Sequence, residues 1–288
     1  MKKCDTGPVG DGEPGSTRGI LRAERGLRRF QVRRAAPSPG LAPYAEHHWI
    51  LTWDLRGRAP HSQRLLTHPT VHMTFTTGGR ARVVGIVRGV FTETISGAGR
   101  VIGVRFLPGG LRPFLDGPVS ALTGRYAPVE EVFGPAARAA ADAIIAEPDT
   151  GAAIAVLEAF LLERTPGRPD PVVAEMTAIV RRIASDPALS RVDALAADLG
   201  VGTRSLQRRF AEYVGVGPKW VIRRYRMHEA AERAAAGERV DWAAVAGELG
   251  YSDQAHFVRE FTAAVGTPPA RYARMCAADA ERAGTIGR

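Results

Sequence analysis

Arg204, Gln207 and Arg208 fall in one short stretch of the sequence, and Gln254, His256 and Arg259 fall in another about fifty residues later. A guanidinium can donate two parallel hydrogen bonds to N7 and O6 of guanine, and a carboxamide can pair with N6 and N7 of adenine. These residue types therefore suit the reading of base edges in a DNA major groove. A pair of solvated polar faces is the bland alternative, and the elements that carry the residues decide between the two.

Those elements read as capped helices. Asp170 precedes Pro171 at the start of a helix whose apolar stripe is Val172, Met176, Ile179, Val180 and Ile183, and Asp186–Pro187 ends it. Ser190, with Asp193 after it, has the form of a capping box for a short helix that turns Leu195, Ala196 and Leu199 inward and closes on Gly200. After a tight turn a second helix runs from about Thr203 to Val214. Leu206 and Phe210 form its buried side, so Arg204, Gln207, Arg208 and Ala211 face outward. Two short helices joined by so tight a glycine-containing turn form a helix-turn-helix pattern.

A long helix then opens on Gly217–Pro218 and ends before Gly237, carrying Lys219, Arg223, Arg224 and Arg226. Between Gly200 and Arg226 seven basic residues face one acid, Glu212, a local balance of +6. Beside a helix-turn-helix, such a balance points to phosphate contact. The pattern recurs after this helix. Asp241 caps a helix with Trp242, Val245 and Leu249 inward and Gly250 at its end, and Ser252 caps the next, Asp253 to Val265, with Phe257 and Phe261 inward. Leu199–Gly200–Val201 matches Leu249–Gly250–Tyr251, and Phe210 matches Phe261. Two reading heads on one chain, joined by a rigid helix, can enter successive major grooves about 34 Å apart.

The rest of the chain is of a different texture. Runs at His48–Leu55, Val71–Thr76, Arg82–Arg88, Gly89–Ile95 and Arg100–Leu107 alternate or are rich in branched residues, with glycine pairs between several of them, as in a small antiparallel sandwich or barrel. Pro135–Ala146 and Thr150–Leu162 read as helices that trail it. The expected fold is thus α+β with two domains. Residues 1–40 form a disordered basic arm, 41–163 a β-rich sandwich or barrel with trailing helices, 164–171 a linker, 172–275 an all-α double helix-turn-helix, and 276–288 a flexible tail.

The bulk numbers narrow the class further. In 288 residues 45% are hydrophobic and 24% charged, a globular balance, with a net charge of +9. Lysine occurs only at Lys2, Lys3 and Lys219, so the arginine bias tracks composition as much as function. Cys4 and Cys276 are too few for a disulfide framework or a thiolate metal site. With no signal-type start and no apolar run long enough to span a bilayer, a cytoplasmic location is expected.

The run Ser205–Leu206–Gln207–Arg208–Arg209–Phe210, the stretch Arg226 to Ala230, Gly250–Tyr251–Ser252–Asp253 and the run Gly266–Thr267–Pro268–Pro269–Ala270–Arg271–Tyr272 together resemble the AraC/XylS family of bacterial transcription regulators. The resemblance covers about residues 172–275. It implies sequence-specific regulation of transcription on double-stranded DNA. Base reading would fall to Arg204, Gln207, Arg208, Gln254, His256 and Arg259, and phosphate contact to Arg209, Lys219, Arg223, Arg224 and Ser252. The opening Gly202–Thr203–Arg204 departs from the bulkier or serine-type openings of many relatives, which leaves the docking angle of the first recognition helix open. Tyr44–Trp53, His68–Pro69–Thr70 and the run from Gly103 to Gly109 look like the β-rich sensor domain of one subset of the family, whose ligand is generally unknown. A small-molecule effector, RNA polymerase and a second copy of the chain are the further partners implied, with no cofactor.

Three rival readings have less support in the residues. Five of the seven histidines lie between His47 and His72, yet His47 and His48 are adjacent, so they point to opposite strand faces, and nothing completes a metal set. Catalysis lacks a phosphate loop, a nucleophile elbow and the cysteines that an alkyl-accepting repair domain needs, so no enzyme is expected. A membrane-surface role for the basic helix is interrupted by Glu229 and Glu232. A co-regulator whose helical domain contacts protein instead of DNA stays open as the alternative.

Overall fold

The structure, a computed structural model, describes residues 17–236 and 240–286, the side chains of 283–286 excepted. Residues 1–16 of the expected arm, Gly237 and the last two residues of the expected tail lie outside it.

The N-terminal part is built on β1 (Gln31–Ala35), β2 (Ala45–Asp54), β3 (His61–Leu65), β4 (His72–Thr76), β5 (Arg80–Val84), β6 (Phe91–Ile95), β7 (Ala98–Phe106) and β8 (Tyr126–Pro128). Six of these form one antiparallel sheet in the order β1-β2-β7-β4-β5-β8, and β3 pairs with β6 in a separate ribbon. The arrangement is two open layers and not a closed barrel. Five strands coincide with the alternating runs of the sequence; β1, β3 and β8 do not, because Gln31–Ala35 and His61–Leu65 are mostly polar and are held by ladders to β2 and β6.

Strand alternation gives the large sheet two unlike faces. One carries Ile50, Met73, Phe75, Val83, Ile102, Val104 and Phe106, all buried. It packs under α2 (Val129–Phe133), α3 (Ala136–Ala146) and α4 (Thr150–Leu162), the last capped by Asp149, whose carboxylate accepts from the Ala152 N–H at 2.8 Å. The other face carries His47, Trp49, His72, Thr74 and Arg105. Two glycines make room for tryptophans there: a Cβ at Gly103 would meet Trp49 at 2.4 Å and one at Gly99 would meet Trp53 at 2.5 Å.

Residues 17–40 correct the expected disorder. They include α1 (Ala23–Gly26) and β1, and bury Leu21 and Phe30. The arginines that suggested a solvated tail are anchored in part: Arg22 forms an ion pair with Asp279 at 2.6 Å, and Arg18 with Glu232 at 2.8 Å.

The C-terminal part comprises α5 (Pro171–Ser185), α6 (Val192–Asp198), α7 (Thr203–Arg209) with a π-helical turn at Phe210–Val214, α8 (Pro218–Ala235), α9 (Trp242–Glu248), α10 (Gln254–Val265) and α11 (Pro269–Ile286). Asp170 and Asp241 cap as their positions predict. Two caps differ. Arg191, with no side-chain cap bond, stands at the start of α6 in place of Ser190, and Asp253 replaces Ser252 at α10, accepting from the His256 N–H at 2.7 Å. The carboxylate of Asp253 reaches the free N–H groups of the first turn from one residue further on. The tail is corrected as well: α11 continues past residue 275 and buries Cys276 and Asp279.

The two parts share one core. A continuous apolar cluster runs from Val104 and Phe106 through Leu157 and Leu161, past Val119 and Leu122, to Met176, Leu206, Phe210 and Tyr225. A smaller cluster around Phe257, Phe261 and Tyr272 takes in Leu21 and Leu66 from the N-terminal part. Among the described residues no helix is long and apolar enough to cross a membrane.

Candidate nucleic-acid interface

Gly200 and Gly250, at φ +64° and +77°, end α6 and α9 in the left-handed region and turn the chain into α7 and α10. A side chain with a Cβ is strained in this region, which is why glycine sits at both turns. Leu206 and Phe210 then pin α7 from beneath, and Phe257, Phe261 and Val265 pin α10. With those residues inward, helical geometry turns Arg204 and Arg208 to solvent on α7, and Gln254 and Arg259 on α10. Gln207 is exposed too, on the shoulder of α7. No side chain of these five makes a hydrogen bond or ion pair among the described residues, so each is available to a ligand outside the chain.

His256 differs. It is half-buried, its Nε2 lies 3.4 Å from Glu260 Oε1, and its ring meets Tyr251 edge-on at 5.3 Å.

The residues expected at phosphates divide. Lys219 is exposed, and Ser252 is exposed with its hydroxyl donating to Asp253 Oδ2 at 3.2 Å. Arg209 pairs with Glu175 of α5, and Arg223 pairs with Glu260 at 2.8 Å. Arg224 is a correction. It is 4% exposed, donates to the carbonyl oxygens of Val87 and Arg88 at 3.3 and 2.5 Å, and stacks its guanidinium 4.6 Å from the Trp220 ring centre. Burial lowers it to about 10, which leaves it charged at neutral pH. The next arginine, Arg226, is also buried and donates to the carbonyls of Asp186 and Leu189. Both guanidiniums fasten α8 to its surroundings, so the +6 of this stretch overstates the charge facing solvent.

The seam between α8 and the sheet part carries a second contact. His228 stacks on His68 with ring centres 4.2 Å apart, and burial holds both imidazoles well below their ordinary value. On the polar sheet face burial, Arg105 and Arg34 hold His47 at about 3, and burial, Arg105 and His47 hold His72 at about 3. His72 accepts from Trp49 Nε1 at 3.2 Å, and Arg105 Nε lies 2.7 Å from Glu46. The clustered histidines of the sequence are thus dispersed. His48 faces the other way and meets Glu158 at 2.7 Å, and no group of three or more His, Cys, Asp or Glu among the described residues could hold a metal ion.

Sequence reasoning passed over Glu260, Tyr251 and the Arg224 anchor. For Glu260 a signal was present: a carboxylate four residues after His256 on one helix. For Arg224 there was none, since its partners are backbone carbonyls distant in sequence.

Two family models match separate stretches of the chain. Residues 195–275 match the family model of a helix-turn-helix domain, and residues 33–128 match that of a domain of unknown function (DUF6597). Among solved structures, the C-terminal domain of AraT, a response regulator from Geobacillus stearothermophilus, is 24% identical. That match covers 38% of this chain and 88% of AraT's, with a TM-score of 0.33. ToxT from Vibrio cholerae is 12% identical over 86% of this chain and 98% of its own, with a TM-score of 0.37. The same protein with an unsaturated fatty acid bound is 14% identical over 85% and 95%, with a TM-score of 0.35. Likeness at these scores adds nothing to the geometry above. No curated protein matches the chain.

Proposed function

We propose that residues 195–275, which match the family model of a helix-turn-helix domain, make this chain a DNA-binding transcription regulator that reads a bipartite operator with α7 and α10. The observation that carries the reading is the pair of outward faces. Arg204, Gln207 and Arg208 on α7, and Gln254 and Arg259 on α10, are exposed, their side chains without partners among the described residues, on helices whose opposite sides are buried. Direct hydrogen bonds from these residues to base edges give selectivity, with His256 at the rim of the second set. Lys219, Arg209, Arg223 and Ser252 supply phosphate contacts, and with them the salt dependence.

The sheet part is the regulatory half in this reading. Support comes from its buried polar face, where His47 and Arg105 are each 5% exposed beside the partly open rings of Trp49 and His72. A polar face of this kind, already paired within itself through Arg105 and Glu46, would offer hydrogen bonds to a small-molecule effector. RNA polymerase and a second copy of the chain belong to the same proposal, as does a cytoplasmic location.

Selection of duplexes from a random pool at moderate salt tests the central claim. The expected result is an enriched motif with two separated blocks. Retention of DNA without any enriched motif, or no retention, overturns it and leaves a protein-contacting co-regulator.

A further inference from the structure

We propose that Glu260 is the positioning residue of the second reading head: its carboxylate sets the posture of α10 and of His256 by joining three elements at one point. Oε2 accepts from the Tyr251 hydroxyl at 2.8 Å, in the turn between α9 and α10. Oε1 lies 2.8 Å from Arg223 on α8 and 3.4 Å from His256 on α10 itself. Tyr251 in turn meets both the His256 and the Phe257 rings, so the same node touches the groove side and the core side of the helix.

Charge makes the residue conspicuous. An acid beside arginines that face a phosphate backbone repels that backbone and weakens non-specific attraction. Its presence there is a cost to affinity, offset only by something other than charge.

The internal repeat shows what that is. Phe261 corresponds to Phe210, which places Glu260 opposite Arg209 of the first unit. Arg209 pairs with Glu175 on α5, the helix that precedes the first unit, and Glu260 pairs with Arg223 on α8, the helix that precedes the second. The same position therefore pins each recognition helix to the helix that precedes its unit, with the polarity reversed. In the second unit the reversal leaves the acid on the recognition helix and draws in His256 and Tyr251 as well. At 23% side-chain exposure, Glu260 is sheltered enough for these contacts to hold their geometry.

The inference rests on base reading by α10, and the experiment separates the two. Full-length wild type, Glu260→Gln and Glu260→Ala are titrated with a selected operator and with a random-sequence duplex over a salt series. A folding check by thermal melt accompanies each.

For a positioning residue, the ratio of operator to random affinity falls about tenfold in Glu260→Ala. Random-duplex binding stays level or strengthens, and the lost base preference is confined to the block read by α10. Glu260→Gln, which keeps the shape and the acceptor for Tyr251, falls between the two, and it carries the test if the alanine variant melts early. Three outcomes overturn the proposal: both variants strengthening operator and random binding together, both weakening them by one factor, or a loss spread over both blocks. A wild type without preference for the operator would instead remove the base-reading premise itself.

Discussion

In the first helix-turn-helix unit, Leu195, Leu206 and Phe210 belong to the same apolar cluster as Val104, Phe106 and Leu122 of the sheet part. In the second, Phe257 and Phe261 belong to a separate cluster that, among the described residues, takes only Leu21 and Leu66 from that part. Polar contacts follow the same division. Thr123 Oγ1 donates to the Gly215 carbonyl at 2.6 Å, Thr177 Oγ1 to the Pro108 carbonyl at 3.0 Å, and Arg112 pairs with Glu212 at 2.6 Å. The second unit is held from outside largely by charge: Arg22 to Asp279, Arg18 to Glu232, and Arg64 to the Gly266 carbonyl at 3.3 Å.

Apolar burial is nearly indifferent to salt, whereas ion pairs open to solvent weaken as salt rises. The first helix-turn-helix unit is thus built into the sheet part, and the second is fastened to it. Packing joins the first unit to the sheet part, and contacts open to solvent join the second.

The largest effect separates the cores. Phe210→Ala should cost about 3–5 kcal/mol, and Phe257→Ala a similar amount, as deletions of fully buried aromatic side chains do. The reach should differ. Hydrogen exchange of the Phe210 variant is expected to speed up in β7 and around Val119–Leu122, and that of the Phe257 variant to speed up only in α9, α10 and α11. Unchanged protection of β7 in Phe210→Ala would mean that the shared core does not act as one unit.

Acid should sharpen the same contrast. His47 and His72, at about 3, and His68 and His228, well below 6.5, are all depressed in the folded chain. The unfolded chain therefore binds more protons below about 6.5, so stability is complete above that pH and declines as the pH falls toward about 3. Three of the four lie in the sheet part and the fourth on α8. Denaturant midpoints at pH 7.5 and 5 should drop chiefly in the fluorescence of Trp49 and Trp53, with a smaller change near Trp242. An equal drop at both would assign the acid sensitivity to the whole chain.

A third comparison sets two arginines against each other. Arg224→Ala strands two carbonyls at the seam and should destabilise the chain by about 1–3 kcal/mol without altering the salt slope of DNA binding. Arg208→Ala should leave the melting temperature within error and relax preference at one base position. A flattened salt slope in Arg224→Ala would return that residue to the phosphates and show that the seam opens on DNA.

Much of this architecture was legible beforehand, for a local reason. Leu206 and Phe210, or Phe257 and Phe261, stand four residues apart, and that spacing alone turns Arg208 and Arg259 outward on any helix. Gly200 and Gly250 mark the turns because the left-handed conformation excludes most other residues at low cost. Strands β2, β4, β5, β6 and β7 announced themselves by alternation or branched side chains. The polar strands β1 and β3 did not, since a ladder partner holds a strand whatever its own pattern.

What the sequence by itself determined, then, was the two helix-turn-helix units: their helices, their turns and the residues they turn outward. Tertiary structure alone decided what lies behind them. Arg223 and Arg224 are neighbours of one residue type, about 100° apart on α8. One faces Glu260 and solvent, and the other is buried on the carbonyls of Val87 and Arg88. Leu21 and Arg22 read as part of a solvated arm until α11 folds back beside them. Periodicity tells which side of a helix is inward; which distant segment meets that side is set by long-range packing, of which a local pattern holds no record.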